Sequence, residues 1–245
     1  MNDAIRHYDE LLAAHYSWMV GVPFEEKVAE QKALLKELGL GKGHGAAIDL
    51  GAGPGYQSAA LADLGYAPVI AVDTSRVLLD ELLARIGPRP VETVLDDMCG
   101  FLARATPASV AAIVCMGDAL THLPSHADVS GLLASAAAAL APGGRLILTF
   151  RDMSEPLAGL DRFIPVQSDA GRVMVCFLEY EPDTVVVHDL IHERGDTGWT
   201  MHKSCYRKLR ISSSDVARQL ERAGLTVDVD RAAARMWAIS ASKAG

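Results

Sequence analysis

The stretch Ala46-Ala-Ile-Asp-Leu-Gly-Ala-Gly-Pro-Gly55 is an apolar run that breaks into three glycines, and a helical pattern over Tyr56–Leu64 follows it. A short apolar run bounded by glycine reads as a buried strand entering a sharp turn. Glycines 51, 53 and 55 let the backbone turn tightly and let a ligand lie against bare peptide groups. The helix that follows presents unpaired N–H donors at its first turn. The spacing is GxGxG, and Tyr56 stands where the dinucleotide fingerprint requires glycine or alanine. Asp49 lies two residues before the first glycine. An acid that close serves pyrophosphate poorly and a cationic or zwitterionic ligand well.

Outward from this loop the same alternation continues. Apolar runs at Ala46–Leu50, Pro68–Val72, Val91–Leu95, Val110–Met116 and Arg145–Phe150 are separated by helical patterns at Tyr56–Leu64, Arg76–Ile86 and Ala127–Leu140. Such alternation predicts βαβ units and a parallel sheet with helices on both faces. In the second helix Leu78, Leu79, Leu82, Leu83 and Ile86 are expected to share a face. Before the loop, Ile5, Tyr8, Leu12, Tyr16 and Met19 follow a helical stripe, and a further helix is expected near Phe24–Leu38. After it, Val173–Tyr180, Thr184–Ile191 and Thr200–Leu209 read as strands of a meander. Ser212-Ser-Ser-Asp215 then caps a helix, and Leu225–Val229 and Met236–Ser240 close the sheet. The expected architecture is an α/β, Rossmann-like single domain spanning 1–245. It has an N-terminal helical lid (1–40), a ligand-binding half (45–154) and an antiparallel C-terminal extension (155–245).

Three more features sit at strand ends. Asp73 closes Val69-Ile-Ala-Val-Asp73, 22 residues after Gly51, where a carboxylate can accept both hydroxyls of a ribose. Asp97 follows the third run, where it can accept an adenine amino group while Met98 packs on the ring. Cys115-Met-Gly-Asp118 ends the fourth run. All lie at the carboxyl ends of parallel strands, where open α/β sheets bind ligands.

This set resembles the class I S-adenosylmethionine-dependent methyltransferases, clearly from about Gly45 to Glu155. Leu140-Ala-Pro-Gly-Gly144 before the fifth strand is a further feature of that superfamily. The resemblance implies that S-adenosylmethionine is the cofactor and S-adenosylhomocysteine the product. It implies that Gly51 and Gly53 approach the methionine part of the cofactor and that Asp49 and Ala52 belong to the same cofactor site. Asp73 with Thr74 would bind the ribose, Asp97 with Met98 the adenine, and the backbone at Met116 would flank the sulfonium.

Two segments narrow the comparison. Cys115-Met-Gly-Asp-Ala-Leu-Thr-His-Leu-Pro124 and Leu148-Thr-Phe-Arg-Asp152 are loosely similar to glycine and sarcosine N-methyltransferases. Arg151 then falls where those enzymes bind an amino-acid carboxylate, and a guanidinium can clamp a carboxylate at two points. The alternative is an arginine paired with Asp152 or Glu155. His122 is the candidate base, its alternative being a structural histidine in its turn. Asp118 is expected to contact the cofactor or a cationic amine acceptor. Tyr16 and Trp18 on the N-terminal helix and Tyr206 on the meander are candidate acceptor contacts, with core packing as their alternative. For Tyr8 core packing is favoured. His188 and His192, four apart on a strand, have no third ligand at convincing spacing, so no metal is expected.

Composition sets the outer limits. The net charge is −8 over 245 residues, which disfavours nucleic acid and anionic lipid as partners. The first twenty residues carry Asp3, Arg6, Asp9 and Glu10, so no signal segment is expected, and no apolar run reaches membrane length. Four cysteines without pairing pattern fit a reducing, cytoplasmic setting. The expected function is methyl transfer to a small molecule, an amine or amino-acid-like acceptor. Small-molecule O-methylation, macromolecular methylation, cofactor binding without catalysis and nicotinamide-dependent oxidoreduction are the competing possibilities. Oligomeric state is not readable from the sequence.

Overall fold

A computed structural model describes residues 3–233 and 236–245. The chain forms two compact units. The described residues up to Val22 join Met153–Arg210 in one, and Pro23–Asp152 joins Ile211–Gly245 in the other.

The larger unit is built on a seven-stranded sheet. Its strands are β1 (Ala47–Leu50), β2 (Val69–Asp73), β3 (Val91–Leu95), β4 (Val110–Cys115), β5 (Leu140–Phe150), β10 (Leu225–Ala233) and β11 (Met236–Lys243). The order is β10-β11-β5-β4-β1-β2-β3. Strands β3, β2, β1, β4 and β5 run parallel, and β11 and β10 add antiparallel. β1 is flanked by β2 on one side and β4 on the other, so the chain reverses its direction of travel there. That crevice at the carboxyl ends is where such sheets hold ligands. All four residues of β1 are buried, as a central strand covered on both faces requires.

The helices of this unit are α3 (Phe24–Glu37), α4 (Tyr56–Leu64), α5 (Arg76–Arg85), α6 (Met98–Ala103), α7 (His126–Ala139) and α8 (Ser213–Arg222). α5 is capped by the Ser75 hydroxyl, which accepts from the Leu78 N–H. Leu78, Leu79, Leu82 and Ile86 are buried, but Leu83 is 51% exposed. Five residues past Leu78, Leu83 has rotated about 140° from it and leaves the stripe. α6 was not anticipated: its short sequence has no two-turn periodicity, and it is held by the Asp97 cap. β5 begins at Leu140, five residues earlier than expected, because the Leu140-Ala-Pro-Gly-Gly144 segment extends from the end of α7. α8 follows the expected Ser212 cap and buries Val216 and Leu220.

The smaller unit is a four-stranded antiparallel meander with an N-terminal helical segment. Its strands are β6 (Phe163–Ser168), β7 (Arg172–Tyr180), β8 (Thr184–Gly195) and β9 (Gly198–Leu209), in sequence order. β6 was not assigned from the sequence. The helical segment comprises α1 (Asp3–His7), a π-helical turn (Tyr8–Leu12) and α2 (Ala13–Val20). The wider π turn shifts the phase of the stripe, so Ala4, His7, Leu11, Leu12 and Ala13 are the buried positions and Tyr8, Tyr16 and Met19 are half-buried.

On β8, Val185, Val187, Asp189 and Ile191 alternate onto one buried face. Asp189 is the polar member. His7 Nε2 meets its Oδ2 at 2.8 Å, the Cys176 thiol donates to Oδ1 at 2.7 Å, and Tyr206 stacks on the His7 ring at 4.3 Å. A buried carboxylate needs such partners, since desolvation otherwise costs several kcal/mol. Among the described residues no helix is long and apolar enough to cross a membrane.

The glycine loop supplies a direct test of packing. Gly55 has φ +90°, and a Cβ there would lie 2.4 Å from the Leu82 side chain. Gly55→Ala is expected to destabilise the protein by about 2–4 kcal/mol, from left-handed strain plus overpacking, measured by chemical denaturation.

Candidate active site

The larger unit gathers the glycine loop and the strand-end acids at the carboxyl edge of its sheet. Gly51 and Gly53 have φ of +69° and +53°. A Cβ on Gly51 would meet the Ala119 Cβ at 2.6 Å, so the loop lies flat against the turn after β4. The Gly53 N–H donates to Asp73 Oδ2 at 2.8 Å, and the Ser75 N–H donates to Asp73 Oδ1 at 2.8 Å. Both oxygens of Asp73 are therefore oriented by backbone, and each carboxylate oxygen has lone-pair capacity for a second donor. Ala52 is buried and Thr74 exposed.

Asp97 caps α6 by accepting the Gly100 N–H at 2.8 Å on Oδ1. A side chain at position 100 would crowd Asp97 Oδ2 at 2.7 Å, so the glycine keeps that oxygen clear. Asp97 is exposed, Met98 half-buried and Met116 buried, at the ends of β3 and β4.

Asp49, at the end of β1, is 1% exposed. The Ser58 hydroxyl of α4 donates to Oδ2 at 2.6 Å, while Oδ1 has no hydrogen-bond partner among the described residues. Burial pushes its pKa up to about 7, opposed by the Ser58 hydrogen bond and reinforced by the Asp73 charge. Ser58 is a residue that sequence reasoning missed. The only signal was a small hydroxyl in the first turn of a helix rich in alanine and leucine.

After β4, Asp118 takes φ +82°, which aspartate tolerates better than most side chains. It is 1% exposed. Oδ1 accepts the Arg151 N–H at 2.9 Å and the Thr121 hydroxyl at 3.1 Å, and Oδ2 takes Arg151 Nη1 at 2.7 Å. Arg151 thus meets Asp118 across β4 and β5, a pairing not considered from the sequence, where Asp152 and Glu155 were the alternatives. Thr149 adds its Oγ1 as acceptor for the Gly117 N–H at 2.9 Å. Sequence reasoning missed Thr121 and Thr149, whose function depends on neighbours in space. His122 closes the same 3₁₀ turn, Ala119–His122, with its Nε2 buried.

Tyr16, Trp18 and Tyr206 belong to the smaller unit. Trp18 Nε1 donates to Asp169 Oδ2 at 2.6 Å, and Arg172 lies over its ring at 4.6 Å. Tyr16 packs near Tyr8 at 6.2 Å, and Tyr206 is 5% exposed against His7. His188 faces Glu179 at 3.1 Å, and among the described residues no group of three His, Cys, Asp or Glu is placed to hold a metal ion.

Residues 47–144 match the model of a family described as a methyltransferase domain. Among solved structures, the chain is similar to the CcbJ methyltransferase from Streptomyces caelestis (19% identity, 96% of each chain, TM-score 0.76). It is also similar to an S-adenosylmethionine-dependent methyltransferase from Clostridium acetobutylicum (15% identity, 98% of this chain and 97% of that one, TM-score 0.72). A third is the sugar N-methyltransferase KedS8 from a Streptoalloteichus species (16% identity, 96% and 92%, TM-score 0.72). A search of curated proteins finds no match. The fold is the one these solved methyltransferases share, and residues 47–144 carry the match to the methyltransferase-domain model.

The raised pKa of Asp49 has a sign that can be checked. Its folded value lies above the unfolded one, so the folded state holds an extra proton between about pH 4 and pH 7, and stability falls as pH rises through that window. In the ligand-free protein, Asp49→Asn is expected to be more stable than the parent at pH 8. Denaturant titrations should find that advantage smaller at pH 5, by up to about 3 kcal/mol.

Proposed function

We propose that the protein transfers the methyl group of S-adenosylmethionine to the nitrogen of a small-molecule amine, with a neutral body such as an amino sugar. The observation that carries the acceptor class is the Asp118–Arg151 pair. Arg151 is aligned by a buried carboxylate at 2.7 Å, so its charge is already balanced and does not await the carboxylate of an amino acid. The same pairing occupies Asp118, which removes it from service as counter-ion to a cationic amine. The likeness to a sugar N-methyltransferase supports this choice.

The cofactor, when bound, supplies a methyl group already activated on a sulfonium. The chain's own work is to bind, to orient and to handle one proton. Asp73, oriented by the Gly53 and Ser75 N–H groups, accepts the ribose hydroxyls. Asp97 and Met98 receive the adenine. Gly51, Ala52 and Gly53 present backbone to the methionine part, with Asp49 beneath them, and the Met116 backbone flanks the reacting end. His122 takes the proton that an ammonium acceptor must lose before its lone pair can attack. The Asp118, Thr121 and Thr149 hydrogen bonds hold the turn that carries it. Placement of the nucleophile in line, with water excluded, provides most of the remaining acceleration.

Formation of S-adenosylhomocysteine is the test, measured with amino sugars, amino acids and phenols offered in turn. Turnover with amino sugars is expected. Turnover confined to phenols or to amino acids would overturn the acceptor class, and tight cofactor binding with no acceptor-dependent product would overturn catalysis itself. Asp73→Ala should weaken cofactor binding by tenfold or more, in line with about 1.5–3 kcal/mol for a charge-assisted hydrogen bond. His122→Gln should lower kcat by about 100-fold or more while the cofactor Kd stays unchanged.

A further inference from the structure

Asp49 is an unusual thing to find beneath a ligand loop. It is fully buried, and one of its oxygens is satisfied by Ser58 while the other meets no donor among the described residues. The groups that bear on it come from each neighbouring element. Ser58 donates from α4, Asp73 adds like charge from the end of β2, and Cys115 on β4 is a thiol that burial holds in its neutral form. None of these is a cation. An ionised carboxylate in this setting lacks the counter-charge that burial demands.

S-adenosylmethionine and S-adenosylhomocysteine share the same amino-acid and nucleoside parts and differ by the methyl group and the positive charge it leaves on sulfur. A carboxyl group that can switch between neutral and ionised forms therefore meets two ligands of different charge. We propose that Asp49 releases a proton to solvent when S-adenosylmethionine binds and largely keeps it when S-adenosylhomocysteine binds, so that the site discriminates the charged cofactor from the neutral product through this one carboxyl group. The inference rests on the cofactor site proposed above and adds to it a proton exchange that binding alone does not require. Only a proton is exchanged: the O–H proton of Asp49 passes to buffer, and the carboxylate left behind would be favoured by a ligand that carries one more positive charge. Product release is the functional consequence. Once the methyl group has gone, Asp49 regains a proton and the site loses its electrostatic hold.

The experiment is calorimetric titration of the full chain with each ligand at pH 7, in phosphate and in Tris, whose heats of ionisation differ. The proton count follows from the difference between buffers, and titration of each free ligand supplies the correction for its α-amino group, which the sulfonium makes more acidic in one of them. S-adenosylmethionine should release about half a proton more than S-adenosylhomocysteine, since Asp49 is near half-protonated at that pH. The ratio of the two affinities should move in favour of S-adenosylmethionine by about tenfold or more from pH 5.5 to pH 7.5. Asp49→Asn, which keeps an acceptor for Ser58, should abolish the difference in proton count and flatten the ratio. Should that variant fail to fold, Ser58→Ala serves instead: loss of a donor that favours the charged form should move the inflection to higher pH. Equal proton counts for the two ligands, or a ratio that does not change with pH, would overturn the proposal while leaving the cofactor site intact. Binding of neither ligand would overturn the cofactor site itself, and the proton exchange with it.

Discussion

The 2.8 Å hydrogen bond from the Gly53 N–H to Asp73 Oδ2 joins the loop after β1 to the end of β2, and much of the site depends on it. A glycine loop has little stiffness of its own, because glycine pays the largest backbone entropy on ordering. Asp73 supplies what the loop lacks. Its second oxygen is fixed by the Ser75 N–H, so the carboxylate cannot rotate away. The Gly51 N–H and Ala52 N–H both reach the Val72 carbonyl, which carries the β1–β2 pairing into the loop itself. The turn that presents backbone to a ligand is therefore an extension of the parallel sheet, ordered at little further cost.

The two fully buried acids of this edge are treated in opposite ways. Asp118 receives an arginine, a backbone N–H and a hydroxyl, and is spent on shaping the turn between β4 and the 3₁₀ segment. Among the described residues Asp49 is served by Ser58 alone, through its hydroxyl and its backbone N–H. The first arrangement gives rigidity. The second leaves a carboxyl group whose charge state responds to what is placed beside it, with burial setting the direction. Two aspartates of similar exposure thus do different work because their donors differ in number.

The smaller unit solves a related problem in its own core. Alternation on β8 puts Asp189 on the same face as Val185, Val187 and Ile191, where an unpaired carboxylate would be costly. His7 arrives from the N-terminal helical segment and Cys176 from β7, and Tyr206 covers the imidazole. This network ties a local helix to a meander more than 160 residues away, and the π-helical turn at Tyr8–Leu12 sets which side of the following helix faces it.

Much of the larger unit was legible in the sequence because its signals are local. Apolar runs of strand length, glycines at a turn and acids at strand ends each declare themselves within a few residues, and their order along the chain implies the parallel sheet. The helix α6 and the strand β6 were not legible, since neither is long enough to show a period. The burial of His7 was hidden by a change in helical pitch. The partners of Asp49 and Asp118 could not be read either: Ser58, Thr121 and Arg151 owe their significance to which strand ends and helix turns meet in space. The sequence by itself determined where acids and glycines stand relative to the strands, because backbone periodicity alone dictates that. Only the tertiary structure decided which acid is saturated and which is left with an open oxygen, because hydrogen-bond donors are delivered by elements far apart in the chain.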